Sequence, residues 1–126
     1  MNIIDSSGWL EYFADGPNAS FFSPPLQETA TIVVPTITIY EVFKVVLRQR
    51  NESDALQSVA LMQQGSVIDL TSNISILAAK LGIDHHLPMA DSIILATARV
   101  YGATIWTQDS DFKGIDGVQY IVKKSG

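Results

Sequence analysis

Residues 89–112 read MADSIILATARVYGATIWTQDSDF, and this stretch decides the fold class. Its first half is almost uncharged and predicts a helix from about Ala90 to Tyr101, and Gly102 is a typical residue at the end of a helix. Thr104–Trp106 is short, β-branched and aromatic, which predicts a buried strand. A helix that leads directly into a buried strand is typical of an α/β domain.

The same alternation of short apolar runs and amphipathic stretches extends along the rest of the chain. Strands that alternate with helices predict a mostly parallel sheet covered on both faces. Residues 18–29 are ambiguous, because a helical turn at Phe21 and Phe22 is interrupted by Pro24-Pro25. The further predicted strands are Asn2–Ile4, Thr31–Val34, Val67–Leu70 and Gln119–Val122. The further predicted helices are one over Trp9–Phe13 capped by Ser6 or Ser7, one capped by Thr36 that runs to about Gln49, one capped by Ser53, and one that starts at Thr71 or Ser72 and ends at Gly82.

The chain has 126 residues, of which 47% are hydrophobic and none is cysteine. This length and composition predict one globular domain, residues 1–126, with a single core and no disulfides. No apolar run approaches the roughly 20 residues that span a bilayer, and the N-terminus lacks the basic region of a signal peptide. We therefore expect a cytoplasmic protein that does not associate with membranes.

The net charge is −5, from 13 acidic and 8 basic residues. Proteins that bind nucleic acid are usually basic, so this balance argues at first against such a partner. Some of the acids could instead be present to bind cations. Their positions along the chain distinguish these two interpretations.

Several acidic residues lie at the ends of predicted strands or in helices that follow strands. Asp5 comes directly after the first strand, and Asp109 follows the strand in the stretch quoted above, with Asp111 two residues later. In a parallel sheet, functional groups gather where loops leave the carboxyl ends of the strands. Glu41 and Asp91 lie in otherwise apolar helices, where a carboxylate is costly unless it is paired or coordinated.

Each of these acids alone has an ordinary structural explanation. Asp5 and Asp91 could cap helices. Glu41 could be solvated, and Asp109 could form a turn. Together, however, they form an acidic pocket that repels itself unless a hard cation neutralises it. Mg²⁺ prefers oxygen ligands, and it can lower the pKa of water and stabilise charge on a phosphoryl group, so the pattern predicts metal-dependent chemistry at a phosphate ester.

Four segments of the sequence carry a family resemblance. They are Ile3-Ile4-Asp5-Ser6-Ser7, Thr38-Ile39-Tyr40-Glu41-Val42, the ten residues from Met89 to Ala98, and Thr107-Gln108-Asp109-Ser110-Asp111-Phe112. Each segment is short, and their combination carries the resemblance. In order and spacing, across essentially the whole chain, the sequence resembles the PIN-domain ribonucleases, and specifically the VapC-type toxins of bacterial or archaeal toxin–antitoxin pairs.

The resemblance implies a three-layer α/β/α fold, dependence on Mg²⁺ or Mn²⁺, and cleavage of single-stranded or looped RNA such as tRNA or rRNA. Asp5 and Asp91 match the principal metal ligands of the family. Glu41 matches the acid that completes the site, either as a ligand through water or as an orienting base. Asp109 matches the fourth acid of this catalytic set, and Asp111 an accessory one. A homodimer and a cognate small antitoxin protein are the partners that the resemblance suggests.

Four further residues are predicted to contact the substrate. Ser6 and Thr107 supply the hydroxyl groups that the family pattern places beside its acids. Lys44 and Arg48 are four residues apart on the helix that carries Glu41, on a face distinct from its apolar stripe. This pair is a candidate for contacts with RNA phosphates, and a plain solvated face explains it equally well.

Two other functions stay open on the sequence alone. An α/β phosphohydrolase or phospho-acceptor domain usually ends its first strand in paired acids, whereas Asp5 is followed by Ser6-Ser7-Gly8. A catalytically inactive PIN-like scaffold that binds partners is the second alternative. Aromatic residues concentrate in the first third of the chain, where they predict core packing or a groove for a partner: Trp9, Tyr12, Phe13, Phe21 and Phe22.

Overall fold

Five short strands and six helices alternate along residues 1–125, the part of the chain that this computed structural model describes. The strands are Asn2–Ile4 (β1), Val33–Pro35 (β2), Ser66–Ile68 (β3), Thr104–Thr107 (β4) and Val118–Tyr120 (β5). The helices are Ser6–Phe13 (α1), Ala19–Leu26 (α2), Thr36–Gln49 (α3), Glu52–Met62 (α4), Ser72–His85 (α5) and Met89–Tyr101 (α6). Two short 3₁₀ turns, Thr29–Thr31 and Ser110–Phe112, complete the regular structure.

The strands run parallel throughout. β1 pairs with β4, β4 pairs with β5, and β2 pairs with β3. A single parallel bridge between Asn2 and Ile32 joins the two sets, which gives the spatial order β3-β2-β1-β4-β5. The predicted α/β class with a parallel sheet is confirmed. Because β1 lies between β2 and β4, the residues that follow these three strands emerge side by side at one edge.

The sheet lies between two layers of helices. Successive side chains of a strand point to opposite faces, so neighbouring residues of β1 serve different layers. Ile3 packs in a core with Ile94 and Leu95 of α6, on the side covered by α5 and α6. Ile4 packs on the other side with Trp9 and other residues of α1 to α4. The three-layer α/β/α arrangement is therefore confirmed.

Helix α6 is the most deeply buried part of its layer, with every residue from Asp91 to Ala98 buried. It packs against the sheet on one side and against α5 on the other. Burying its large side chains, such as Ile94 and Leu95, contributes about 1.5–3 kcal/mol each, so the helix is held firmly. Asp91, in the first turn of α6, is therefore fixed in place. No helix in the described residues is long and apolar enough to cross a membrane.

Helix α1 begins one residue earlier than its predicted caps require. The sequence predicts Ser6 or Ser7 as the cap, whereas the cap is Asp5, whose carboxylate accepts a hydrogen bond from the Gly8 amide. A charged carboxylate is a stronger acceptor than a hydroxyl at the positive end of a helix. Both serines are consequently helical, and their hydroxyl groups can bond to neighbouring acids.

Other predicted boundaries also differ from the structure. Helix α4 is capped by Asn51 and not by Ser53, because the Asn51 side chain accepts from the Asp54 amide. Strands β3 and β5 each begin one residue earlier and end two residues earlier than predicted. The second strand is Val33–Pro35, because Thr29–Thr31 forms a 3₁₀ turn. Residues 19–26 form a helix despite their two prolines, and this helix is only eight residues long. Helix α5 continues past Gly82, where a Cβ atom would lie 2.5 Å from Ser92 Oγ of α6. The glycine thus allows α5 and α6 to approach closely and does not end the helix.

Candidate active site

The carboxyl ends of β1 and β4 lie side by side because the two strands pair in register, with Ile4 opposite Trp106. The Asp5 amide extends this pairing by donating to the Trp106 carbonyl at 3.2 Å. Asp5 therefore lies next to Thr107, the last residue of β4. This edge of the sheet is where the sequence predicts the functional side chains.

The Asp5 carboxylate is buried, with 2% of the residue exposed, and both of its oxygens accept hydrogen bonds. Oδ2 accepts from the Thr107 hydroxyl at 2.6 Å, and Oδ1 accepts from the Ser7 hydroxyl at 2.7 Å and the Gly8 amide at 2.9 Å. Burial raises the pKa of Asp5 from 3.8 to about 6, although these hydrogen bonds act in the opposite direction. The carboxylate is thus held rigidly, in a place that disfavours its charge.

Glu41 reaches the same region from the second turn of α3. It is half-buried, and its Oε1 accepts a hydrogen bond from the Ser6 hydroxyl at 2.6 Å. Ser6 directly follows Asp5 in the chain, so this bond joins α3 to the start of α1. One oxygen of Glu41 is thereby fixed, and Oε2 can accept a hydrogen bond or a proton from a water molecule.

Three aspartates form a tight cluster beside Asp5. One carboxylate oxygen each from Asp91, Asp109 and Asp111 lies within 4.8 Å of the others. Asp91 is buried at the start of α6, Asp109 is half-buried and Asp111 is exposed. The Asp109 carboxylate caps the short turn after β4 by accepting from the Asp111 amide at 2.9 Å. The cluster therefore combines a helix start with the loop that leaves β4.

The four predicted catalytic acids interact electrostatically. The pKa of Asp91 is raised from 3.8 to about 8, mainly by burial and then, in decreasing order, by the charges of the other three acids, Asp109, Asp5 and Glu41. In the described part of the chain the only ion pair joins Arg50 to Asp54, and no basic side chain pairs with the acids of this edge. The negative charges that the structure brings together are therefore not compensated by the chain itself.

A divalent cation fits this donor set. All donors are carboxylate oxygens, the ligands that Mg²⁺ and Mn²⁺ prefer. Ligands of one Mg²⁺ lie at about 2.0–2.1 Å from the ion, so two of them are at most about 4.2 Å apart. The aspartate oxygens, within 4.8 Å of one another, come close to that separation and require only small movements. A cation would also relieve the repulsion that raises the pKa of Asp91.

The residues predicted to contact substrate occupy different environments. Thr107 is fully buried, and its hydroxyl donates to Asp5 and accepts from the Asp109 amide at 2.9 Å. Thr107 is thus committed to the acids and does not face a substrate. The Ser6 hydroxyl is likewise engaged, by Glu41. Lys44 and Arg48 are exposed on α3, where the Lys44 ammonium lies 5.6 Å from the centre of the Tyr40 ring.

Two residues close to the acids, Ser7 and Gln108, were not predicted from the sequence. Ser7 donates to Asp5, and its position two residues after an acid is a pattern that could have predicted the contact. Gln108, between Thr107 and Asp109, is buried and accepts a hydrogen bond from Asn18 at 2.9 Å. Asn18 is ninety residues away in sequence, so no local pattern predicts that contact.

A cavity of about 820 Å³ lies between α1, α3 and α4, next to the acids. Ser7, Glu11 and Gln108 line one end of it, and Arg50 and Asp54 line the other. The four predicted catalytic acids are not among its lining residues. Their chemistry therefore belongs to the open edge of the sheet, and the cavity is a separate surface beside it.

Comparison with known proteins identifies related sequences and folds. The family model of the PIN domain matches residues 3–118. A toxin–antitoxin complex from Klebsiella pneumoniae contains a chain that is 22% identical, with a TM-score of 0.79 and coverage of 94% of this chain and 96% of that one. The sarcin–ricin loop cleaving toxin VapC20 of Mycobacterium tuberculosis is 14% identical, with a TM-score of 0.77 and coverage of 92% and 95%.

VapBC2 from Rickettsia felis, solved bound to a DNA fragment from its promoter, is 15% identical, with a TM-score of 0.75 and coverage of 94% and 97%. At these identities the solved structures establish a shared fold. No curated protein matches the chain in sequence. The family match spans nearly the whole chain and includes all five predicted acids of the site. The chain therefore belongs to the PIN domain family.

Proposed function

We propose that this chain is a metal-dependent endoribonuclease and the toxin of a type II toxin–antitoxin pair. The observation that carries the proposal is the convergence of Asp5, Glu41, Asp91 and Asp109, where burial of Asp91 and the charges of the other three acids raise the pKa of Asp91 to about 8. A purely structural edge would not gather four carboxylates without basic partners, because their repulsion opposes folding. We also propose that residues 1–126 form a single nuclease domain.

Asp5 and Asp91 are the proposed principal ligands of Mg²⁺ or Mn²⁺, with Asp109 beside them and Asp111 as an accessory ligand. Asp91, Asp109 and Asp111 have carboxylate oxygens within 4.8 Å of one another, and the charge of Asp5 raises the pKa of Asp91, which together support this assignment. When bound, such a cation supplies Lewis acidity that polarises the phosphate and lowers the pKa of water. Thr107 and Ser7 hold the Asp5 carboxylate in one orientation, so that little rearrangement is needed on binding.

Glu41 is the proposed base in the hydrolysis of the RNA phosphodiester. Ser6 fixes one oxygen of this carboxylate, and the other can orient a water molecule and accept its proton. The water oxygen then bonds to phosphorus while one phosphorus–oxygen ester bond breaks, and the leaving oxygen takes a proton. The products are two shorter RNA chains, one of which ends in a phosphate.

The proposed substrate is single-stranded or looped RNA, such as a tRNA or rRNA loop. Unpaired bases are accessible to a protein surface, whereas paired ones are not. Lys44 and Arg48, both exposed on the helix of Glu41, are proposed to contact the RNA backbone. Because one structurally similar protein is a sarcin–ricin loop cleaving toxin, that rRNA loop is a reasonable first substrate to test.

The proposed partners are a cognate antitoxin and a second copy of the chain, in the cytoplasm. Several structurally similar proteins were solved as toxin–antitoxin complexes, which supports the first. Large apolar side chains exposed on α3, α5 and α6 support an interface with another protein. They include Tyr40, Leu47, Ile76, Ile83 and Met89.

The two alternative functions are less well supported. A phosphohydrolase that forms an aspartyl-phosphate needs a nucleophilic carboxylate oxygen, whereas both oxygens of Asp5 accept hydrogen bonds from protein groups. An inactive scaffold would have no need to keep four uncompensated acids together. Hydrolysis of RNA therefore agrees best with the geometry.

The test is cleavage of RNA by the purified chain with Mg²⁺ or Mn²⁺ and with EDTA. We expect cleavage only with a divalent cation, and its loss in Asp91→Asn. Glu28→Gln, which changes an exposed acid that precedes β2 and so lies towards the amino ends of the strands, is the matched control and should cleave normally. Cleavage by Asp91→Asn at the wild-type rate would refute the proposal.

A further inference from the structure

A second polar cluster lies behind the acids, on the side of α1. We call it the Asn18 network, and it consists of Ser7, Glu11, Asn18 and Gln108. Its members come from α1, from the loop between α1 and α2, and from the segment that follows β4. None of them is among the predicted metal ligands, yet the network is in contact with Asp5 through Ser7.

Asn18 is the central residue of this network and is 1% exposed. Its side-chain amide donates to Gln108 Oε1 at 2.9 Å and to the Val122 carbonyl at 3.0 Å. Its backbone amide donates to Glu11 Oε2 at 2.7 Å. One buried residue thus ties together α1, the segment after β4 and the segment after β5.

Gln108 connects Asn18 to the acids. It stands between Thr107, which holds Asp5, and Asp109, a predicted ligand. Its side-chain amide lies 3.5 Å from the Ser7 carbonyl, and its backbone amide lies 3.4 Å from the Ser7 hydroxyl that donates to Asp5. A displacement of Gln108 would therefore move Asp109 relative to Asp5.

One feature shows that this network is not optimised for stability. Asn18 Oδ1 is buried and has no hydrogen-bond partner among residues 1–125, which is unfavourable for folding. The Glu11 carboxylate that accepts from the Asn18 amide fills the space beside Gly16, where a Cβ atom would lie 2.5 Å from Glu11 Cδ, so a larger residue at position 16 would push this flexible side chain aside. A buried polar atom without a partner calls for an explanation, and a role in the site is one.

We propose that Asn18 is a positioning residue for the acidic site, which acts through Gln108 to hold Asp109 at its distance from Asp5. The inference rests on the proposed function, because it assigns to these acids the binding of a divalent cation. Asn18 touches neither substrate nor cation. Its effect is to keep the loop after β4 close to α1, so that carboxylates from two strands converge.

The test compares Asn18→Ala with Asn2→Ala by calorimetric titration with Mn²⁺. Asn2 is the matched control, because its side chain also makes two hydrogen bonds, to Trp106 and Thr31, at the opposite end of β1. We expect Asn18→Ala to weaken Mn²⁺ binding about tenfold or more, as is typical for residues that orient ligands. Asn2→Ala should change it less than about twofold, although both variants lose thermal stability.

Gln108→Ala is a second variant in case Asn18→Ala does not fold. It removes the Asn18–Gln108 hydrogen bond by deleting the acceptor, so it should weaken Mn²⁺ binding to a similar extent. Because the two residues act as a unit, the double variant Asn18→Ala/Gln108→Ala should show little further loss. In RNA cleavage, kcat should fall in both variants at a largely unchanged KM. Equal Mn²⁺ affinities of Asn18→Ala and Asn2→Ala, or normal binding by Gln108→Ala, would overturn the inference.

The results that would refute the proposed ribonuclease differ from the results that would refute the role of Asn18. A wild-type chain that binds Mn²⁺ and cleaves no RNA would refute the ribonuclease, while the comparison of variants would still decide the role of Asn18. A wild-type chain that binds no divalent cation would overturn both. Normal cleavage with unchanged affinity in Asn18→Ala would overturn the role of Asn18 alone.

Discussion

The two ends of the strand pair β1–β4 satisfy their polar groups in different ways. On the amino side, Asn2 accepts a hydrogen bond from the Trp106 indole at 2.9 Å and donates to the Thr31 hydroxyl at 3.2 Å. At the carboxyl end, the hydroxyl groups of Ser7 and Thr107 both donate to one carboxylate, that of Asp5. The paired side chains at the amino end are neutral, whereas the carboxyl end accumulates carboxylates.

This difference separates a stabilising arrangement from a functional one. The contacts of Asn2 pair neutral donors with neutral acceptors, which favours folding modestly. The carboxyl end also makes good hydrogen bonds, but burial and like charges raise the pKa of Asp5 and Asp91. Hydrogen bonds there position carboxylates that repel one another, an arrangement expected where a cation binds.

The largest expected effect at the carboxyl end is that of Asp91→Asn. Loss of a ligand should reduce RNA cleavage more than about 100-fold, the upper range for residues that only orient ligands. Because the substitution also removes an acid whose ionisation the folded state opposes, the melting temperature of the metal-free protein above about pH 4 should rise. Asp91 is a cleaner target than Asp5, which also caps α1 through the Gly8 amide. Cleavage assays and thermal melts in EDTA measure both effects, and a lower melting temperature would contradict this account.

Thr107→Val should have the next largest effect. It removes the hydroxyl that donates to Asp5 and accepts from the Asp109 amide, while the side chain keeps its shape. We expect Mn²⁺ affinity, measured by calorimetry, to fall about 10- to 100-fold. Thr107→Ser keeps the hydroxyl and is the control, which should stay within about threefold of wild type on the same scale. Equal losses in both variants would indicate a packing effect.

The stability of the metal-free protein should depend on pH in a direction opposite to that of most acids. The pKa of Asp5 is about 6 and that of Asp91 about 8, against 3.8 for a free side chain, so the folded state binds protons more tightly than the unfolded state. This contribution to stability is complete below about pH 4 and is lost as the pH rises towards 8.

The measurement is the difference in melting temperature between wild type and Asp91→Asn in EDTA, as a function of pH. We expect Asp91→Asn to gain most relative to wild type near pH 8 and least near pH 4. Saturating Mg²⁺ should stabilise wild type and remove much of this difference, because the cation neutralises the acids. A difference that is independent of pH would contradict the assignment.

The smallest effect on activity is expected at the amino end. Asn2→Ala should lower the free energy of unfolding by about 1–3 kcal/mol, since it leaves the Trp106 indole without its partner and removes one of the two hydrogen bonds of the Thr31 hydroxyl. Cleavage by the folded variant should nevertheless stay within about twofold of wild type. Denaturant unfolding and cleavage assays test this together. A large loss of activity in Asn2→Ala would contradict the assignment of a stabilising role to the amino end and a functional role to the carboxyl end.

Much of the fold was predictable because it is encoded in local patterns. The strand Asn2–Ile4 and the helix that ends before Gly102 were predicted within one residue, since an apolar run and a terminal glycine mark them directly. The cap of α1 was wrong, because three adjacent residues, Asp5, Ser6 and Ser7, could all serve as caps. Gly82 was also wrongly interpreted as the end of α5, because the close contact that requires a glycine there is made with a residue of another helix, Ser92 of α6.

The location of the site could be predicted because the positions of the strand ends could be predicted. Asp5 and Asp109 directly follow strands, so the parallel sheet brings them to one edge, and their roles as ligands remain predictions. The orientation of each carboxylate was not predictable, because it depends on partners such as Thr107, which lies 102 residues from Asp5. The role of Asn18 was inaccessible for the same reason.

The strand order has a consequence for when the proposed nuclease could first act during synthesis. β4 is inserted between β1 and β5 only after more than one hundred residues have been made, and Asp109 follows it. Until then Asp5 lacks both Thr107 and the neighbouring carboxylates of the loop after β4. A growing chain would thus carry no assembled acidic site until β4 has paired, and a partner that binds the chain at that stage could reach it before any RNA is cut.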